Sequence, residues 1–206
     1  MSGDDEPHEP MPRERHAPDP QRFVRTALLF YGAMGCAALV WRMTASGQSI
    51  LYPSIAAEAS APSLGLALGA GVAGGVAALG LSEALTRWTR LGDALADLLG
   101  EGLEGIGRGD AILLALASGL AEEMLFRGAL QPVVGLFWAS LIFGACHFLP
   151  RRELALWSVF AVLIGFAFGW LYEWTGHLAA PVVAHTIVNG VNLPRLARRY
   201  ETRRDP

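Results

Sequence analysis

Apolar side chains in this chain come in long runs. Phe23–Met43, Leu64–Leu81, Ala111–Gln131, Val133–Leu149, Leu154–Trp174 and Leu178–Leu193 are each dominated by them. A helix of about 20 predominantly apolar residues crosses the hydrocarbon of a bilayer. Runs of this length are neither the alternation of a half-buried strand nor the narrow stripe of a surface helix. Hydrophobic residues make up 52% of the 206 and charged residues only 17%. The expected fold is therefore all-α, a polytopic membrane helix bundle in one domain. Cys36 and Cys146 both lie inside apolar runs, where a structural disulfide is not expected.

Taken in order, residues 1–21 hold five prolines and six acidic residues, the composition of a disordered tail. Residues 22–194 are the helical domain and 195–206 a basic tail. A long acidic stretch precedes the first run and no small-x-small site follows it. It is thus expected to be a retained span, with Arg25 and Arg42 snorkelling from its ends. The second run has Gly65/Gly69 and Gly71/Gly75 at four-residue spacing, and the fifth has Gly165/Gly169. Such pairs let helix backbones approach closely in lipid. Between the second and third runs, Ser82–Asp110 is amphipathic. Leu91, Leu95, Leu98, Leu99, Leu103 and Ile106 recur near helical spacing, with Asp93, Asp97, Glu101 and Glu104 elsewhere. This predicts one interfacial helix on the membrane surface, its acidic side solvated. Pro132 predicts the break between the third and fourth spans.

Charge supports six spans. All sixteen basic residues are Arg. Six crossings put the N-terminus, Ser82–Asp110, Arg151/Arg152 and the C-terminal tail on one side. The loops Thr44–Pro62 and Glu173–His177, on the other side, hold no Arg. Cytoplasmic loops are the Arg-rich ones, so both termini are expected in the cytoplasm.

Within the third run stand Glu122, Glu123 and Arg127. An ionisable group at the centre of a membrane helix costs roughly 2.5–3.5 kcal/mol and usually marks function. Residues four apart share a helix face. Glu123 and Arg127 are such a pair and are expected to form an internal ion pair. Glu122, rotated about 100° from Glu123, has no partner in its own helix. Phe143 and His147 share a face of the fourth run, and His185 and Asn189 share one of the last. Each pair alone also fits an ordinary role, as packing, interhelical glue or a structural ion pair. Together, a carboxylate, two imidazoles and a carboxamide are a toolkit for hydrolysis. The carboxylate is a candidate general base, an imidazole can orient water, and His and Asn can donate to an oxyanion. Cys146 points about 100° from His147 and is read as packing, and His177 as an interfacial residue.

Glu122-Glu123-x-x-x-Arg127, Phe143-x-x-x-His147 and His185-x-x-x-Asn189 resemble, in order and spacing, the signature of the CPBP intramembrane endopeptidases. These are the CAAX proteases and bacteriocin-processing enzymes, also called Abi or Rce1-like. The resemblance covers about residues 111–193. It implies a glutamate-dependent intramembrane protease acting on membrane-embedded or lipidated proteins or peptides. Glu122 would activate water with His147, and His185 and Asn189 would form the oxyanion hole. Glu123, Arg127 and Phe143 would support them. Better-known members have additional spans, which leaves the route of substrate entry open. The short Arg-only chain is similar to small bacterial members, so a bacterial-type inner membrane is the expected location.

No cofactor is favoured. There is no His-Glu-x-x-His motif, and Glu122, His147 and His185 are the residues that would hold a divalent metal such as zinc. The lipid bilayer is an expected partner, and nucleic acid is not. Two other classes use the same residues. One is a proton- or metal-coupled transporter, which the lack of a detectable repeat disfavours. The other is a non-catalytic scaffold for membrane segments.

Overall fold

In the computed structural model the described residues, 19–148 and 152–204, are helical apart from short connections. The acidic residues 1–18, with His8 and His16, lie outside them, as does Arg151. The helices are α1 (Pro20–Ser46), α2 (Ile55–Ser60), α3 (Leu64–Trp88), α4 (Arg90–Glu101), α5 (Arg108–Glu123), α6 (Gln131–Cys146), α7 (Arg152–Thr175) and α8 (Ala179–Arg204). A π-helical segment, Met124–Leu130, joins α5 to α6. Four helical stretches are long and apolar enough to cross a membrane: Pro20–Ser46, Leu64–Trp88, Arg108–Cys146 and Trp157–Thr175. The chain is thus a candidate multi-pass membrane protein.

Helix starts follow capping chemistry. The Asp19, Ser54, Ser63 and Thr89 side chains accept from backbone N–H groups at the starts of α1, α2, α3 and α4. Pro20 opens α1, where its missing N–H costs nothing.

Arg108–Cys146 is not one straight rod. Gly135 has φ 80° and ψ 165°, backbone that is essentially restricted to glycine. The chain folds back there, because the rings of Phe126 and Phe143 meet at 4.9 Å. Seventeen residues of straight helix would hold them ~25 Å apart. The break expected at Pro132 therefore falls three residues later. Pro132 sits in the first turn of α6, where proline is tolerated.

Close contacts give the helix directions. A Cβ at Gly71 would lie 2.5 Å from the Ala180 carbonyl oxygen, and one at Gly75 would lie 3.0 Å from that of Ala184, so α3 and α8 run parallel. Gly165 abuts Ser140 and Gly169 abuts Leu136, so α6 and α7 run antiparallel. Gly65 meets no neighbouring helix and Gly69 nothing within 4 Å, so that pair packs no helix. Against the α3–α8 seam lies a core of Ala67, Ala78, Ile164, Phe168, Leu171, Ala180, Ala184 and Val188.

Several sequence expectations change. Arg42 is 4% exposed and does not snorkel. It donates to the Gln48 side chain and to the carbonyls of Ser49, Tyr52 and Pro53, tying down the loop after α1. A buried guanidinium is tolerable because its donors are met. His177 is held through Nε2, 2.8 Å from the Pro62 carbonyl oxygen, and its ring tilts against Tyr52. Cys146 is exposed, not packed. The amphipathic stretch is divided among the end of α3, the separate helix α4 and the start of α5, and α4 packs on α3, α7 and α8. Its leucines Leu95, Leu98 and Leu99 line a cavity. Asp93 and Asp97 are not simply a solvated side, since both pair with Arg199. Helix α8 continues through Pro194 to Arg204, so Arg195 and Arg198 belong to it and not to a loose tail.

Candidate active site

Three helical pairs from α5, α6 and α8 meet at one place. Glu123 is fully buried, with its Oε2 3.1 Å from Arg127 Nε and its Oε1 accepting from Arg127 Nη1 at 3.2 Å. The pair straddles the change from α- to π-helix at Met124. Arg127 is 1% exposed and also donates to the Gly165 carbonyl on α7 at 3.2 Å. Its guanidinium carbon lies 4.5 Å from the centre of the Phe143 ring, a cation–π contact. Phe143 is packed between Phe126 and His147, whose ring centre is 4.5 Å away.

Hydrogen bonds fix both imidazoles. His147 Nδ1 is 2.8 Å from the Phe143 carbonyl oxygen, which can only accept, so Nδ1 carries hydrogen. His185 Nδ1 is 2.7 Å from Glu123 Oε1 and donates in the same way. Each ring therefore turns its Nε2 elsewhere, and both face Glu122. Glu122 Oε2 lies 3.8 Å from His147 Nε2 and 3.9 Å from His185 Nε2. This oxygen is buried and makes no hydrogen bond. Gaps of this length are too long for direct hydrogen bonds and suit a bridging water.

Asn189, one turn beyond His185, donates through Nδ2 to Ser118 Oγ at 3.0 Å. Phe143, His147, His185 and Asn189 line a cavity of about 1410 Å³ that extends to Ser82, Asn192 and α4. Its far wall carries Glu83, Arg87, Arg195 and Arg199. Glu122, His147 and His185 are the residues whose free atoms face one another. Among the described residues, however, no group of three or more His, Cys, Asp or Glu is spaced to hold a metal ion.

Four of the seven residues singled out by spacing thus line this cavity, and Glu122, Glu123 and Arg127 stand against their rings outside its lining. Two neighbours were missed. Ser118 lies one turn before Glu122 on α5, but a lone serine in an apolar run carries no signal. Tyr31 of α1 stands beside Glu122. Its helix packs there through Gly35, whose Cβ would sit 3.7 Å from Met124 Sδ and 3.9 Å from Ala121 Cβ.

Residues 108–191 match the family described as type II CAAX prenyl endopeptidase Rce1-like. They form an Rce1-like domain. The Rce1-like domain holds α5, α6, α7 and the part of α8 with His185 and Asn189, while Tyr31 and α4 lie outside it. Over 82 residues the chain is 50% identical to the uncharacterized protein YpbD of Bacillus subtilis (strain 168). That stretch is 39% of this chain and 42% of YpbD, so the chain matches about two-fifths of this curated relative's length. No solved structure matches the chain.

Proposed function

We propose that this chain is an intramembrane endopeptidase in which Glu122 activates water to hydrolyse peptide bonds of membrane-associated proteins or peptides. The observation that carries this reading is the buried, unpartnered Glu122 Oε2 atom, 3.8 and 3.9 Å from the Nε2 atoms of His147 and His185. A water between Glu122 and His147 gives its proton to Glu122 while its oxygen attacks the carbonyl carbon. Asn189 Nδ2–H donates to the developing oxyanion. His185 joins it as the imidazolium, with Glu123 against its Nδ1. The tetrahedral adduct then collapses, the C–N bond breaks, and Glu122 returns its proton to the leaving amine. Glu123, Arg127 and Phe143 hold the imidazoles in place without touching substrate.

The helix directions support six crossings, with α5 and α6 as separate passes around Gly135 and α4 as a helix at the cytoplasmic end. The parallel pair α3/α8 and the antiparallel pair α6/α7 are what that path requires. The Arg-bearing cavity wall lies at the end that the positive-inside rule assigns to the cytoplasm. Both termini are then cytoplasmic, in a bacterial cell membrane, and substrates reach the cavity from that side. A C-terminal reporter active only in the cytoplasm tests this topology, and a silent reporter on protein that is present in the membrane would overturn it.

The mechanism is tested by co-expressing wild type and Glu122→Gln with tagged membrane peptides, with chelator added to half the samples. Cleavage lost in the variant and untouched by chelator is the expected result. Full cleavage by Glu122→Gln would sink the mechanism. Loss with chelator and restoration by zinc would make Glu122 a ligand instead.

A further inference from the structure

Helices α5 and α8 are cross-braced by two hydrogen-bonded rungs, and only one involves a charge. The charged rung is Glu123–His185 at 2.7 Å. The neutral one is Ser118–Asn189 at 3.0 Å. Between them Gly119 lies close against α8, where a Cβ would lie 2.7 Å from Thr186 Oγ1 and 3.1 Å from the Thr186 backbone nitrogen. The neutral rung has a direction. A hydroxyl has one proton and can otherwise only accept. The Ser118 proton goes to the Ala115 carbonyl at 3.3 Å, the usual back-bond of a serine inside a helix. Ser118 Oγ is then left with accepting capacity only, and it is 4% exposed. The Asn189 side chain must present its nitrogen and not its oxygen.

We propose that Ser118 is a positioning residue that sets the orientation of the Asn189 carboxamide and so keeps an N–H donor turned toward the substrate cavity. The NH₂ group has two protons. One is spent on Ser118, and the other remains for the cavity that Asn189 lines. Without the Ser118 acceptor the amide is free to turn over. Its carbonyl oxygen then faces the cavity half the time, and an acceptor aimed at a developing oxyanion repels it. Helix α5 thus carries Glu122 and, one turn earlier, the residue that decides the polarity of the opposite wall. The catalytic part of this inference rests on the proposed role of Asn189; the orientation part does not.

The chain has only two asparagines, Asn189 and Asn192, which makes the orientation directly measurable. Labelling asparagine side-chain amides with ¹⁵N gives two NH₂ groups by NMR. Asn192, which donates to Ser82 Oγ at 3.2 Å, is the internal control. In the wild type the two Asn189 protons are expected to be well separated in shift, one of them protected from exchange. In Ser118→Ala the separation and protection collapse while Asn192 is unchanged, and Ser118→Thr restores both. An unchanged Asn189 signal in Ser118→Ala overturns the proposal. Activity is read on a tagged membrane peptide that the wild type cleaves and Glu122→Gln does not. Ser118→Ala should lower kcat about tenfold with KM little changed, a fraction of the ~10²–10³ that a lost oxyanion donor costs. In an Asn189→Ala background Ser118→Ala should cost nothing more. Independent, multiplying losses would show that Ser118 does not act through Asn189. NMR collapse without any loss of kcat would retain the orientation and refute the oxyanion role of Asn189.

Discussion

Glu123 and His185, sixty-two residues apart, meet at 2.7 Å in the buried centre of the molecule. The same carboxylate faces Arg127, so one buried anion serves two partners on two helices. Removing one member of a buried ion pair strands the other and costs ~3–5 kcal/mol. Glu123→Gln is therefore expected to lower the thermal midpoint sharply in detergent. It should do so even when scored on protein that still reaches the membrane.

Arg127→Lys tests a different part of the same arrangement. Lysine keeps the charge but has no planar fork to reach Glu123, the Gly165 carbonyl and the Phe143 face together. The variant should fold less stably than wild type and lose most cleavage. Near wild-type melting and activity would mean that the charge alone suffices.

The residue pairs that meet between helices were legible because helical spacing survives burial. Glu123/Arg127, Phe143/His147 and His185/Asn189 each occupy one face, and no lipid-facing role explains charges in an apolar run. What spacing does not encode is which helices touch. Ser118 and Tyr31 have no pattern of their own and gain meaning only when α8 and α1 pack beside α5. Arg42 misled for a related reason. Its position at a span end fits snorkelling, and only the returning loop supplies four acceptors that draw it inward. The acidic residues of α4 looked like a solvated face because Arg199, about a hundred residues later, is needed to reveal their pairing. Pro132 is a strong local signal for a break, yet proline is accepted in the first turn of α6, and Gly135 makes the reversal.

Gly135 should therefore tolerate no side chain. Its φ of 80° with ψ of 165° costs other residues about 1–3 kcal/mol. No atom lies within 4 Å of where its Cβ would be, so the cost would be purely backbone strain. Gly135→Ala should lower stability by that amount, read as a lower melting midpoint, and Gly135→Val should add no crowding to it. If both melted as the wild type does, the reversal would not depend on this conformation.

Helix α4 closes one wall of the cavity and is tied to α8 by Arg199, which pairs with Asp93 and Asp97. Partial burial pulls the Arg199 pKa down, but the two carboxylates outweigh it and hold it above the ordinary value. The guanidinium therefore stays charged at neutral pH, and the tie is present there. Arg199→Ala should expose the 90–101 segment to limited proteolysis at neutral pH, with cleavage there rising in salt for the wild type. Equal protection of both proteins would place the hold on α4 in its leucines instead.

Gly119 is a point of close approach between α5 and α8, and it sits beside Ser118 and between the two rungs. A methyl group there would lie 2.7 Å from Thr186 Oγ1 and 3.1 Å from the Thr186 backbone nitrogen. The hydroxyl can rotate away but the backbone cannot, so the helices must separate. Overpacking of this kind costs about 1–3 kcal/mol. Its functional effect should exceed its effect on stability, because both rungs lengthen at once and the imidazole and carboxamide lose their fixed positions. Gly119→Ala is expected to remain folded at growth temperature with cleavage reduced at least tenfold, about 1.4 kcal/mol in barrier. Combining it with Thr186→Ser, which removes a methyl but leaves the backbone nitrogen in place, should restore little. Combining it with Thr186→Gly should restore no more, since the clash with the backbone remains. Full recovery in either double variant would show that the Thr186 side chain, and not the approach of the two backbones, sets the spacing of the site.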